Sequence, residues 1–215
     1  MELIYLLPGA FFAPVIHEWI RALCSTRLGD TTPKNKGFMS WNPFKYFEPV
    51  GFLFMMIFGF GWGRTVPTSP LQYKNRRRGI LITHTIPSVV NLVVGFITAS
   101  IWVALLVPVS DWVTVQTMQG ALWTGSFAIG FMRILFLFAQ CNIGLAIFNI
   151  IPIHPLDASK IVQLYASPET IARMNHYEKP LQILLVIGLV STLISWLLVP
   201  LRDNIVSLPL VLFGM

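Results

Sequence analysis

Long apolar runs separated by short polar loops dominate the chain. We predict five helical segments, at about residues 3–24, 49–62, 80–107, 121–151 and 181–199. Most of these runs are close to or longer than the ~20 residues that a helix needs to cross a bilayer. The run at 49–62 is shorter, rich in glycine and phenylalanine and bracketed by proline, which favours a re-entrant element shielded by the other helices. The pattern predicts an all-α polytopic membrane protein with about five transmembrane or re-entrant segments.

Composition supports a membrane protein. Of the 215 residues, 55% are hydrophobic and only 11% are charged, whereas soluble domains carry roughly 25% charged residues. The net charge of +6 does not indicate nucleic-acid binding, because most of the basic residues lie in the loops between apolar runs. We expect one membrane-embedded domain over residues 1–200, a short apolar tail over residues 201–215, and the lipid bilayer as the surroundings.

The basic residues also predict the orientation. Most of them lie at residues 27–45, 74–78 and 160–179, with Arg64 in the same loop as the second group, whereas the loop around Asp111 has no lysine or arginine. Cytoplasmic loops carry the excess of positive charge. We therefore expect a multi-pass protein of the cell membrane with its N-terminus outside. This topology brings the end of the first segment and the polar residues after the fourth to the cytoplasmic side.

A metal-site motif with one substitution lies near the end of the first segment. In H-E-x-x-H, two histidines one helical turn apart bind zinc and the glutamate acts as general base. Here His17 and Glu18 are present, but Arg21 takes the place of the second histidine. Because arginine has no lone pair to give to a metal and stays protonated in proteins, the motif predicts a related fold with altered chemistry.

A second polar signature follows the fourth segment, over residues 149–160, with Asn149, a proline-rich turn and Leu156-Asp157. Further short motifs occur in order along the chain: Arg27-Leu28-Gly29-Asp30, Trp41-Asn42-Pro43, Glu48-Pro49-Val50-Gly51, Phe60-Gly61-Trp62, Lys74-Asn75-Arg76 and residues 87–91. With the His17-Glu18 pair, this set resembles the site-2 protease family of intramembrane zinc metalloproteases, in its short, single-domain bacterial branch.

The resemblance implies a hydrolase of intramembrane proteolysis that cleaves the transmembrane helix of another protein. It assigns His17, the residue at position 21 and Asp157 as zinc ligands, and Glu18 as the base that activates a water molecule. The sequence departs from the family pattern at Arg21, at Ala158 and Ile86, which replace usual glycines, and at His154. Zinc is therefore the expected cofactor of the family, and its binding by this chain is in question.

We favour impaired or absent proteolysis, since these departures cluster on the site. Arginine pairs with carboxylates through its planar fork, and we predict an Arg21–Asp157 ion pair in place of the metal. Such a pseudo-enzyme would bind clients with a single transmembrane segment, or pair with an active paralogue. The alternative is an active zinc endopeptidase in which His84 or His154 replaces the lost ligand.

Two further expectations concern substrates and function class. Residues 37–42 are expected to form a small membrane-associated β element that holds an unwound substrate by strand addition. Gly37, Phe38, Met39 and Asn149 are the candidate substrate-binding residues. A small membrane transporter is the remaining alternative, and the lack of paired inverted repeats disfavours it.

Overall fold

A computed structural model describes residues 2–40, 42–118, 122–154, 156–191 and 193–214, and the side chains within these ranges except those of Glu2 and residues 112–126. Trp41 and Pro155, both part of the motifs quoted above, lie outside the described residues. The helices are α1 Glu2–Arg27, α2 Thr32–Asn35, α3 Pro49–Phe58, α4 Arg76–Met118, α5 Leu122–Phe148, α6 Asp157–Tyr165, α7 Pro168–His176, α8 Glu178–Val190 and α9 Leu193–Leu212.

Four of these helices are long and apolar enough to cross a membrane. The candidate spans are Leu3–Arg27 in α1, Arg76–Asp111 in α4, Phe127–Phe148 in α5 and Leu193–Leu212 in α9. The described part of the chain contains no β-strand. The predicted all-α polytopic membrane fold is thus confirmed.

Small residues allow α1 to pack closely against α5. A Cβ atom added at Gly9 would lie 2.9 Å from the Cys141 sulfur and 3.0 Å from the Phe138 Cα atom. Ala10 and Ala13 are buried in the same contact. Small residues are typical of helix interfaces in membranes, where close backbone approach replaces the hydrophobic effect as the source of stability. This contact fixes the helix that carries His17.

The short segment at α3 turns back on itself, as its length predicts. Helix α3 has ten residues, about 15 Å of rise, and ends at Gly59 in a left-handed conformation with φ 73°. An extended stretch then runs back along α3, and the Arg64 N–H donates to the Tyr46 carbonyl oxygen at 2.8 Å. The two ends of the segment are therefore adjacent.

Two glycines make this return possible. A Cβ atom at Gly51 would lie 2.0 Å from the Trp62 carbonyl oxygen, and one at Gly61 would lie 2.1 Å from the Gly51 carbonyl oxygen. The helix and the returning stretch are in backbone contact, which no larger residue permits. The stretch is thereby held against α3 on its way to Glu18.

The fifth apolar run differs from the prediction. Residues 181–199 do not form one helix, because α8 ends at Val190 and α9 begins at Leu193. Helix α9 continues to Leu212, so most of residues 201–215, predicted as a short tail, belongs to an apolar helix. Leu189 of α8 and Leu198 and Val206 of α9 pack with Phe148 of α5 in one buried cluster, and this packing explains why the helix extends past residue 200.

The β element expected at residues 37–42 is wrong for the residues that the structure describes there. Gly37 is a turn and Met39 and Ser40 form a bend. Side chains bind the carbonyl groups that a strand partner would have used. The Tyr46 hydroxyl donates to the carbonyl oxygens of Phe38 and Ser40, and Lys45 Nζ donates to that of Gly37 at 2.7 Å.

Candidate active site

The polar side chains near the end of α1 converge on the guanidinium group of Arg21. Its Nη1 atom lies 3.2 Å from Glu18 Oε1. Its Nη2 atom lies 3.0 Å from His17 Nε2 and 2.6 Å from Asp157 Oδ1. Arg21 and Asp157 are each 2% exposed. The predicted Arg21–Asp157 ion pair is confirmed, and the arginine also contacts the two other residues to which the motif assigns chemistry.

Asp157 is positioned by Asn149 across the turn that joins α5 to α6. The Asn149 side-chain oxygen accepts from the Asp157 N–H at 3.3 Å, and the Asn149 carbonyl oxygen accepts from the Ala158 N–H at 3.1 Å. Asp157 lies outside the four candidate spans. Burial by itself raises its pKa, but the Arg21 charge and the hydrogen bonds from His17 and His84 hold the pKa of Asp157 well below its usual range. The aspartate is therefore ionised whenever the ion pair is intact.

The imidazole ring of His17 is oriented by a buried asparagine on its Nδ1 side. Asn91 Nδ2 donates to the Ala13 carbonyl oxygen at 3.0 Å and to Asn142 Oδ1 at 2.9 Å. The Asn91 oxygen is therefore free to accept, and it lies 3.1 Å from His17 Nδ1, which must carry a proton. This hydrogen bond turns Nε2 toward Arg21 and toward Asp157 Oδ2, 2.9 Å away. Metal-binding histidines are commonly oriented in this way.

Glu18 is held by Arg21 on one side and by the returning stretch on the other. The Val66 N–H donates to Glu18 Oε2 at 2.8 Å, so each carboxylate oxygen already has a partner. Gly63 lets the stretch approach, since a Cβ atom there would lie 2.9 Å from the Pro14 Cβ atom and 3.3 Å from Glu18 Cγ. The cavity lined by His17, Glu18 and Arg21 measures about 10 Å³, which is room for about one water molecule.

The two candidate substitute histidines differ in location. His84 Nδ1 lies 2.7 Å from Asp157 Oδ1, which brings this residue into the cluster. His154 Nδ1 instead contacts Glu178 Oε1 at 2.9 Å and Gln182 Nε2 at 3.1 Å. Burial lowers the pKa of His154, and the Glu178 carboxylate opposes that shift. The structure therefore brings His84, and not His154, to Asp157.

The candidate substrate-binding residues fall into two groups. Asn149 lines the small cavity with His17 and Glu18. Phe38 packs edge-on against the Tyr46 ring, with centroids 5.8 Å apart, beside Gly37 and the 38% exposed Met39. The Tyr46 cluster includes Val66, so these residues connect to the site through the stretch that binds Glu18.

Asn142 is a residue of the site that sequence reasoning missed, and Asn91 was seen only as part of a motif. Both are fully buried, and Asn142 Nδ2 is satisfied by the Phe138 carbonyl oxygen at 2.9 Å. The available signal was an amide within a long apolar run. Polar residues inside transmembrane segments are rare and are functional candidates by default.

The residues present do not fit a zinc ion of the usual kind. Zinc would lie about 2.0–2.2 Å from both His17 Nε2 and an Asp157 oxygen, and Arg21 Nη2 already lies within hydrogen-bonding distance of both. At 4 Å, a dication and a guanidinium repel by about 8 kcal/mol at an effective dielectric constant of 20. Within the described residues, no group of three or more His, Cys, Asp or Glu side chains is arranged to hold a metal ion.

Comparisons with known proteins identify the family of the chain. A sequence profile of the family described as Peptidase family M50 matches residues 44–195. The chain is 28% identical over 209 residues to the protein named "Putative zinc metalloprotease YwhC" of Bacillus subtilis (strain 168), an alignment that covers 95% of this chain and 90% of that protein. No solved structure matches the chain at a significant level. The part of the chain that the profile matches contains His84 and Asp157 and begins after the His17 motif.

Proposed function

Because the chain belongs to peptidase family M50, the site-2 protease family, we propose that it binds transmembrane segments of membrane-anchored proteins. We further propose that Arg21 takes the place of zinc at its centre and that the chain does not cleave the segments it binds. Its role is then to sequester clients with a single transmembrane segment, or to assist an active paralogue.

One observation carries this proposal. The Arg21 guanidinium contacts His17, Glu18 and Asp157, the three residues to which the family resemblance gives metal binding and base catalysis. A fixed cation at this point neutralises two buried carboxylates, as a metal would. It offers no open coordination position and no Lewis acid, so the water activation that zinc supplies has no counterpart among these side chains.

The surroundings of Glu18 give further support. A general base must reach the proton that it abstracts, but one oxygen of Glu18 is ion-paired with Arg21 and the other accepts a hydrogen bond from the Val66 N–H. The carboxylate thus holds the returning stretch in place. We infer a positioning role for Glu18 in this chain.

The test combines cleavage and binding in the same membranes. Single-pass reporters with signal-peptide-like transmembrane segments would be co-expressed with the unmodified chain, Glu18→Gln, Arg21→His, and Arg21→His with Glu18→Gln. We expect cross-linking to reporters by the unmodified chain and by Glu18→Gln, without cleavage. Cleavage that requires Glu18 should arise only with Arg21→His, in which histidines one turn apart again face the same point.

Controls separate loss of chemistry from loss of fold. Glu48→Gln removes a carboxylate outside the site and should match the unmodified chain in every assay. Reporter cleavage by the unmodified chain that disappears with Glu18→Gln, but not with Glu48→Gln, would contradict the proposal.

The active zinc endopeptidase is the second candidate, and His84 favours it. The 2.7 Å contact between His84 Nδ1 and Asp157 supports this candidate, because an imidazole beside the aspartate would be available as a third ligand if Arg21 swung away. His84→Ala distinguishes the two functions. It should abolish zinc binding and cleavage if His84 is a ligand, and should leave client cross-linking unchanged if the site contains no metal.

The orientation is also a proposal, with the N-terminus outside and the site near the cytoplasmic side. It is supported by contacts that bring basic loops to one end of the helices, since the Lys74 N–H donates to the Leu28 carbonyl oxygen at 3.3 Å. In a Cys24→Ala background, an impermeant maleimide added to intact cells should label Asp111→Cys and not Lys36→Cys. The reverse labelling pattern would invert the topology.

A further inference from the structure

Two adjoining cavities beside α4 differ sharply in character. One measures about 940 Å³ and is lined by the cationic side chains of Arg76, Arg77 and Lys160. The other measures about 510 Å³ and is mostly apolar. His84 lines both, so they meet along α4. We propose that one anionic phospholipid binds here, with its phosphate in the basic cavity and an acyl chain in the apolar cavity.

The basic cavity carries uncompensated positive charge. Among the described residues, none of Arg76, Arg77 and Lys160 forms an ion pair. Arg77 is held over the Tyr165 ring, 4.7 Å from its centroid, which directs its side chain across α6. Three cations around one concave site, without a carboxylate to neutralise them, match the charge of a phosphodiester headgroup. Basic pockets between transmembrane helices are a known mode of anionic lipid recognition.

The apolar cavity lies deeper along the same helix. Its walls come from α4, α5, α6 and α9, and include Val89, Leu92, Ile147 and Ile205. The candidate span of α4 begins at Arg76. The cations therefore lie at the level where headgroups end, and the apolar cavity lies at the level of the acyl chains. A lipid in its normal orientation would place each part in the matching cavity.

Shape favours an acyl chain over a client helix as the occupant. A helix with its side chains is a rigid rod about 10–12 Å wide, whereas a flexible acyl chain can follow the walls of an apolar cavity of about 510 Å³. Free phosphate would contact the cations of the basic cavity but would make no contact with the walls of the apolar cavity.

The location gives the lipid a direct path to the site. His84 lines both cavities and contacts Asp157, so a bound lipid would lie against a residue of the Arg21 cluster. This inference concerns a separate ligand and does not depend on whether the chain cleaves its clients.

The experiment measures lipid binding to the full chain in mild detergent. Native mass spectrometry would count retained phosphatidylglycerol against phosphatidylcholine, and thermal unfolding would be followed with either lipid added. We expect one retained phosphatidylglycerol per chain and a higher unfolding temperature with that lipid alone. Replacement of Arg76, Arg77 and Lys160 together by glutamine should weaken lipid binding by about 100-fold. This estimate assumes that each basic residue contributes ~1 kcal/mol to the binding free energy.

Matched variants test the two halves of the site. Neutralising Lys36, Lys74 and Arg78 to glutamine removes the same charge from residues outside the cavity and should have little effect. Val89→Trp fills the apolar cavity and should weaken binding, whereas Val93→Trp, one turn further along α4 and outside it, should not.

Three results would overturn the proposal. Equal losses from both charge variants would indicate diffuse attraction to the surface. Equal stabilisation by glycerol phosphate, with no effect of Val89→Trp, would indicate a free-phosphate site. Binding of an acidic single-pass peptide with no retention of phosphatidylglycerol would assign the cavities to a client.

Discussion

Removal of the Arg21 side chain should destabilise the protein strongly. Arg21→Met keeps the length of the apolar stem but leaves Glu18 and Asp157, which are 4% and 2% exposed, without their cation. Breaking a buried ion pair by removing one partner costs about 3–5 kcal/mol. Arg21 has contacts with two carboxylates, at 3.2 and 2.6 Å, so we expect a value at the upper end of that range.

The stability of the purified variants would be measured by SDS-induced unfolding in mixed micelles. Arg78→Met is the matched control, because it removes an exposed arginine and should change stability by less than about 0.5 kcal/mol. Adding Glu18→Gln and Asp157→Asn to Arg21→Met should recover most of the loss, since a cluster without charge has no unpaired ion to bury. Equal stability of Arg21→Met and Arg78→Met would refute the reasoning.

Three other perturbations follow from the described contacts. Asp30 is buried, which raises its pKa, but hydrogen bonds from Thr32, Ser69 and Ser25 outweigh burial and lower the pKa of Asp30 overall. The stabilisation from ionised Asp30 is present above the unfolded pKa of about 3.9 and is lost as pH falls through the lower folded pKa. Asp30→Asn should therefore lower the free energy of unfolding by about 1–3 kcal/mol at pH 7. Unfolding titrations should show a progressively smaller difference below pH 4. Gly61→Ala should cost about 1–3 kcal/mol of unfolding free energy through overpacking. Gly130→Ala is the control and should cost clearly less, because the three atoms nearest to its added Cβ all belong to the movable Tyr5 ring. Equal effects of the two variants in SDS-induced unfolding would contradict the backbone contact at Gly61. A zinc chelator should leave the unfolding temperature of the unmodified chain unchanged and lower that of Arg21→His, and a chelator-induced drop in both would argue for a native metal.

The centre of the site was predictable because helical spacing and charge constrain it. His17 and Arg21 are four residues apart and therefore share one helix face, and two carboxylates at membrane depth require a cation. Arg21 is the residue of the motif that carries a permanent positive charge. The pair with Asp157, 136 residues further along the chain, followed from that requirement together with the family resemblance.

Tertiary contacts decide what the sequence pattern left open. The stretch at residues 37–40 does not form a strand, because Lys45 and Tyr46, side chains from the next turn, take its carbonyl groups. The sequence offers both His84 and His154 as substitute ligands, whereas in the fold His154 contacts Glu178 and Gln182 of α8. Periodicity along one segment carries no information about such contacts.

The boundary of the last helices shows the same limit. Hydropathy alone joins residues 181–199 and separates residues 201–215, but α9 runs from Leu193 to Leu212. Two prolines, Pro200 and Pro209, lie inside this helix, and proline in a sequence usually indicates that a helix ends or bends. Burial of Leu198 and Val206 against α5 is the compensating interaction, and it is visible only in the folded chain.

The most direct test of the account is the zinc content of the purified chain, measured by elemental analysis beside Arg21→His. We predict no bound zinc in the unmodified chain and about one ion per chain in Arg21→His. Only the variant has ligands at all three family positions, 17, 21 and 157, and no guanidinium among them. Near-stoichiometric zinc in the unmodified chain would contradict the claim that Arg21 replaces the metal, and it would favour the active enzyme with His84 as a ligand.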